Sequence, residues 1–140
     1  MAKLHSLPRG ARIPDDIVRI AKAEGIQTAS VVAIGGVSEL TLAYFDHKEK
    51  SYEERRFEEF LEVTSLAGNI TLKDGKPFLH AHGNFGRRDL SVVGGHIMSA
   101  VVFPLLEVTI DPTSNTAIRE FDKETGLNLI RRFGADSSGK

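Results

Sequence analysis

The sequence predicts an α+β domain, a mostly antiparallel β-sheet with one main helix near its N-terminus. Three observations carry this. A single helical stripe, Ile17, Ile20 and Ala21, stands near the start. Six or seven β-branched and apolar runs follow it. Turn signals separate consecutive runs, so neighbours in sequence become antiparallel neighbours in the sheet.

Taken in order, Pro14-Asp15-Asp16 opens the helix, and Asp15 or Asp16 caps or complements the free amides there. Gly25 is its stop, which places the helix at Asp15 to Glu24. Thr28 to Ile34 reads as a buried strand that Gly35-Gly36 breaks, and Glu39 to Phe45 as the next strand. Asp46 to Phe57 is dense in charge and reads as an exposed loop or short helix. Phe60 to Leu66 alternates, with Leu61, Val63 and Ser65 on one face and Glu62, Thr64 and Leu66 on the other. Gly68 to Leu72 continues extended to Asp74-Gly75, a hairpin turn whose two positions need positive φ. The chain returns through Pro77 to Phe85, turns at Arg87-Arg88-Asp89 and leads through Leu90 to Val93 into Gly94-Gly95-His96. Ser99 to Ile110 is a long extended run in which Pro104 marks an edge or a bulge. Ile118 to Phe121 adds a last strand, and Thr125 to Phe133 a short strand or helical turn.

At 140 residues, 41% hydrophobic and 26% charged, the chain reads as one domain over residues 1–133, with a disordered small polar tail at 134–140. It has no cysteine, so disulfides and thiolate metal sites are excluded and any metal chemistry falls to histidine and carboxylate. A formal net charge of -1 argues against holding nucleic acid by bulk electrostatics. The start has no apolar run of signal-peptide length, and no segment approaches membrane-spanning length, so the expected location is cytoplasmic.

Chemistry concentrates in FLHAHGNFGRRDLSVVGGHI, Phe78 to Ile97. His80 and His82, two apart on a strand, project from one face with Cα atoms about 6.6 Å apart. The thirteen residues between His82 and His96 suffice to turn and run back. Three imidazoles can then converge on one ion with nitrogen bonds of about 2.0–2.1 Å, leaving a further position open as catalytic zinc sites do. Three protein ligands with the remaining position open is the pattern of a catalytic or ligand-exchanging zinc site, so zinc is the expected metal. Gly94-Gly95 lets the backbone come close to the site or to another subunit. Two other readings stay open: histidines solvated on a sheet, or hydrogen-bonded within a core. His5 and His47 lie in polar, mobile context and read as surface residues.

Glu62 and Glu107 sit in otherwise apolar strands and are candidate ligands, supports for a ligand, or general bases, although each taken alone reads as a solvent-facing strand residue. The pairs Arg55-Arg56, Arg87-Arg88 and Arg131-Arg132 lie beside acidic residues or at element ends, which favours ion pairs over phosphate contacts. No Walker-type phosphate loop and no G-x-S-x-G is present.

The run EVTSLAGNITLKDGKPFLHAHGNFGRRDLSVVGGHI, Glu62 to Ile97, resembles the plants-and-prokaryotes conserved (PPC) domain. VVAIGGVSELTLAYFD (Val31 to Asp46), LLEVTI (Leu105 to Ile110) and IREFDKETGLNLI (Ile118 to Ile130) resemble its other strands, so the likeness covers about Ile13 to Ile130. Ser-Leu-x-Gly-Asn, His-x-His and Gly-Gly-His in this order are more specific together than any one piece. The resemblance implies a compact α+β domain that assembles as a homotrimer, for which Val101, Val102 and Phe103 offer apolar surface that core packing explains equally well. In land plants the domain follows AT-hooks that bind DNA. The hook core Arg-Gly-Arg-Pro is absent here, and Pro8 to Arg12 is the nearest string. Prokaryotic members are commonly labelled predicted DNA-binding proteins, so DNA is an implied partner with no contacting residues assigned.

The implied fold is also similar to that of acetolactate decarboxylase and of a zinc-dependent ester hydrolase, in which a His-x-His and a later His hold zinc. The matching positions are His80, His82 and His96. That likeness speaks for a metal and assigns no reaction. Two functions follow: a trimeric metal-binding module acting in regulation or on DNA, and a small zinc lyase or hydrolase with Glu62 or Glu107 as proton carrier. A trimer with purely structural histidines is the third reading.

Overall fold

The computed structural model describes residues 1–134. In chain order these form β1 (Lys3–Pro8), β2 (Arg12–Ile13), α1 (Asp15–Ala23), β3 (Ala29–Asp46), β4 (Ser51–Phe57), β5 (Leu61–Lys73), β6 (Lys76–Gly86), β7 (Val92–Pro112), β8 (Thr116–Asp122) and β9 (Leu127–Gly134). The nine strands make one sheet, antiparallel throughout except where β5 meets β8. β3 and β7 pair along most of their lengths, β6 pairs with β7, β5 with β6, and β3 returns to β5. These four strands therefore close into a ring. Its interior holds the core, from Val31 and Leu40 through Leu61, Ile70 and Phe85 to Val102 and Val108. α1 adds Ile17 and Ala21 to the same core.

The helix begins and ends where the sequence indicated, with Glu24 as its cap and Gly25 in the left-handed region at φ 67°. No side chain caps its start. Asp16 instead accepts the amide of Arg12 at 2.7 Å and ion-pairs with Arg19, which holds its carboxyl below the usual range. The Asp74-Gly75 turn has φ of 52° and 74°, and Lys73 faces Lys76 across it.

Several expectations are corrected. Gly35-Gly36 does not break a strand. β3 runs through both, and its register against β7 shifts there. An added Cβ would meet Leu105 O at 2.4 Å from Gly35, or Phe103 O at 2.2 Å from Gly36. The glycines allow close passage of β7, whose Phe103–Leu105 segment bulges around Pro104, between the pairs Gly35–Leu106 and Val37–Val102. Pro104 thus marks a bulge in a strand flanked on both sides.

Ser51–Phe57 is a strand at the sheet edge, where charge is favoured because both faces meet water. Leu66 joins Leu61 and Val63 in the core, because a bulge between Val63 and Ser65 reverses the alternation. Thr125 to Phe133 resolves as a turn and then β9 from Leu127, β1 and β2 add strands beyond those expected, and the runs around Val92 and Ser99 join in one long strand, β7. His5 lies within β1 opposite Val108, with Nε2 buried and unpartnered, so it is no mobile surface residue. His47 is exposed. Val102 is fully buried, and Val101 and Phe103 partly so. Gly134 closes β9, and the rest of the expected tail lies outside the described residues. Among the described residues no helix is long and apolar enough to cross a membrane.

Candidate metal centre

Strand period places the site. Along β6, Leu79, Ala81, Gly83 and Phe85 point into the core, which sends Phe78, His80, His82 and Asn84 to the outer face. β7 runs back beside it and sets His96 directly opposite His82. The three rings converge, with one ligand nitrogen of each within 4.8 Å of the others. His80 Nε2 and His82 Nε2 are 3.1 Å apart. Gly68 stands behind His80, and a Cβ there would meet His80 O at 2.3 Å. Gly94 makes room for the Asn84 side chain, and Gly95 for the carbonyl of Ala43.

Two residues that sequence reasoning passed over complete the surroundings. Arg119 of β8 is only 8% exposed. It donates from Nε to Thr71 Oγ1 (2.9 Å), from Nη1 to Asn128 O (2.9 Å) and from Nη2 to Asn69 Oδ1 (2.9 Å), and Nη2 also lies 3.3 Å from His80 Nδ1. Tyr52 of β4 stacks on His96, with ring centroids 4.8 Å apart and planes at 26°. Burial raises the Tyr52 hydroxyl above its ordinary pKa, with Arg119 opposing. The run Ile118 to Phe121 sets Arg119 and Glu120 side by side, so no pattern in it singles out the buried arginine. The signal for Tyr52 was an aromatic inside a charged segment.

Burial and neighbouring charge favour the neutral form of His80 and His96. Burial, then the Arg119 guanidinium, then His82 and His96 push His80 down to about 4. Burial and then His82 lower His96. A metal needs this lone-pair form. Guanidinium only donates, so the ring proton of a neutral His80 that accepts from Arg119 sits on Nε2, facing His82. Offering Nε2 to a cation moves that proton to Nδ1, and Arg119 must then step back from its 3.3 Å contact.

The donor set fits a borderline divalent cation, three imidazole nitrogens without thiolate. The Nδ1 of His96 is buried with no partner, an orphaned atom of the kind that costs about 1–3 kcal/mol when left unsatisfied. No carboxylate joins the group among the described residues. Glu62 is exposed on β5 opposite Gly86, and Glu107 is exposed on β7 between Ser6 and Ile34. Most of the paired arginines are tied to acids: Arg56 to Glu39 and Glu58, Arg87 to Glu59, Arg131 to Asp122, Arg132 to Glu120.

The family model described as the Plants and Prokaryotes Conserved (PCC) domain, the family the motifs resemble, matches residues 4–114. A comparison with curated proteins finds no match. Among solved structures, a metal-containing protein of Archaeoglobus fulgidus is 37% identical, with a TM-score of 0.89 over 94% of each chain. A candidate DNA-binding protein of Bacteroides thetaiotaomicron is 31% identical, with a TM-score of 0.89 over 93% of this chain and 91% of its own. The α-acetolactate decarboxylase of Bacillus subtilis shares the fold at 15% identity, with a TM-score of 0.60 over 91% of this chain and 59% of the enzyme. With its motifs, its sheet and a match across most of its length, this chain belongs to the Plants and Prokaryotes Conserved domain family.

Proposed function

We propose that His80, His82 and His96 hold a zinc ion and that the chain works as a homotrimeric metal-binding module. The observation that carries the reading is the convergence of three imidazole nitrogens within 4.8 Å on an outer sheet face. The metal-containing Archaeoglobus fulgidus protein supports it. Outward apolar side chains support the trimer: Leu4 and Val32 both flank Thr109, and Ile34 lies beside them on β3, all exposed.

DNA is the partner that the Bacteroides thetaiotaomicron relative brings forward. This chain has a net charge of -1, and many of its arginines are already paired, so any such binding rests on a local patch. A second reading, a small zinc lyase or hydrolase, draws on the open position beside three ligands and on Arg119 at His80. A zinc ion held by His80, His82 and His96 would supply Lewis acidity and lower the pKa of a bound water toward ~7. Neither Glu62 nor Glu107, the expected proton carriers, joins the three histidines, so this reading assigns none.

Metal analysis of protein purified without a nickel column tests the centre. About one zinc per chain is expected, lost in the His80→Ala/His82→Ala variant, and metal-free protein from rich medium would sink the reading. A gel-shift titration against salt tests DNA. Retention no stronger than that of a neutral control at low salt removes DNA as partner, because phosphate contacts are strongest there.

A further inference from the structure

We propose that the cavity between the β5–β6 turn and the β8–β9 hairpin binds a small oxyanion, a carboxylate or phosphate carried by a small molecule. It encloses about 360 Å³, and its walls include Lys73, Asp74, Arg119, Phe121, Asn128 and Arg132. That volume suits a small molecule.

Charge favours an anion. Lys73, Arg119 and Arg132 face Asp74 and Glu120. Glu120 is already bound to Arg132, so this pair cancels. Neither Lys73 nor Arg119 has a carboxylate at ion-pair distance among the described residues. Arg119 is almost completely buried, and its contacts go to neutral atoms of Thr71, Asn69, Asn128 and His80. A buried guanidinium without counter-charge carries a desolvation penalty that an anion would offset.

The two cations also gather on one ring. Lys73 Nζ lies 5.2 Å and Arg119 Cζ 5.7 Å from the centroid of Phe78, so each raises the other's need for a negative partner. Guanidinium has five N–H groups. Four are engaged, and the fifth lies on Nη1 beside Asn128, in the cavity wall. Phe121, 63% exposed, offers an apolar surface for the carbon body of such a ligand.

The test titrates inorganic phosphate and, separately, succinate into the full chain, with and without zinc, following the Arg119 Nε–H resonance and heat. One or both anions bind and shift that resonance, and the responding anion identifies the chemistry. Lys73→Gln, at the half-buried end of β5, weakens binding about threefold or more with circular dichroism unchanged. Arg119→Gln abolishes it, with folding checked by circular dichroism, and Arg56→Gln leaves it unchanged. His82→Ala, which removes a metal ligand that does not touch Arg119, retains anion binding, so failure of the metal reading and failure of this one are separate results. The proposal is overturned if neither anion binds at roughly 10 mM, if Lys73→Gln binds as wild type, or if only duplex DNA binds.

Discussion

Arg119 adds to burial in setting the chemistry of His80. Burial is the largest cause of its depressed pKa and Arg119 the next, so removing the guanidinium gives back part of the shift. In zinc-free Arg119→Met, the His80 ring titrates above about 4 yet still below its ordinary value. Proton NMR of the imidazole checks this, and an unchanged titration would discount the contact. The linkage has a definite sign. Unfolded His80 takes a proton near ~6.5, while the folded residue resists until about 4. Its contribution to stability is therefore intact above ~6.5 and is lost as pH falls toward 4. Urea midpoints of zinc-free protein should drop across that window, less so in His80→Gln.

Gly68 ties Ser-Leu-x-Gly-Asn to His-x-His in this chain. Its missing Cβ lets β6 pass with His80 O only 2.3 Å from where that carbon would be, and Asn69 beside it holds Arg119. Gly68→Ala should cost about 1–3 kcal/mol by urea denaturation, and a wild-type midpoint would contradict the close approach.

At the scale of elements, β4 brings an aromatic wall to the metal centre. It is tied to β3 from Leu40–Phe57 to Asp46–Ser51, and this carries Tyr52 over His96. Such stacking is worth about 0.5–1.5 kcal/mol. Tyr52→Ala should weaken zinc binding roughly two- to tenfold in competition with a chromophoric chelator. Equal affinity would mean that the ring only covers the site. β4 also explains an error of reading. Its charged sequence resembles a loop because an edge strand wet on both faces shows no hydrophobic alternation. β6 was legible for the opposite reason, since one face is core and its apolar positions recur every second residue.

In the whole molecule, the four-strand ring turns one face of each strand inward and leaves the histidines, Val32 and Ile34 outward. The proposed trimer uses the apolar part of that outer surface. Light scattering should return three times the 15.3 kDa chain mass, and Ile34→Glu should reduce it to one chain with circular dichroism intact. A wild-type monomer would refute the trimer, and a trimeric Ile34→Glu would refute this surface as its seam.

The linear chain was enough for the α+β class, the helix, the Asp74-Gly75 turn and the three histidines. Each depends on local chemistry: side-chain period, positive φ at a turn, or imidazoles on one strand face. Packing in three dimensions was needed to route β3 through Gly35-Gly36, to flip Leu66 inward at a bulge, and to set Arg119 and Tyr52 against the histidines. These features arise between segments far apart in sequence, where register and closure of the ring select the neighbours, and no local pattern encodes that choice.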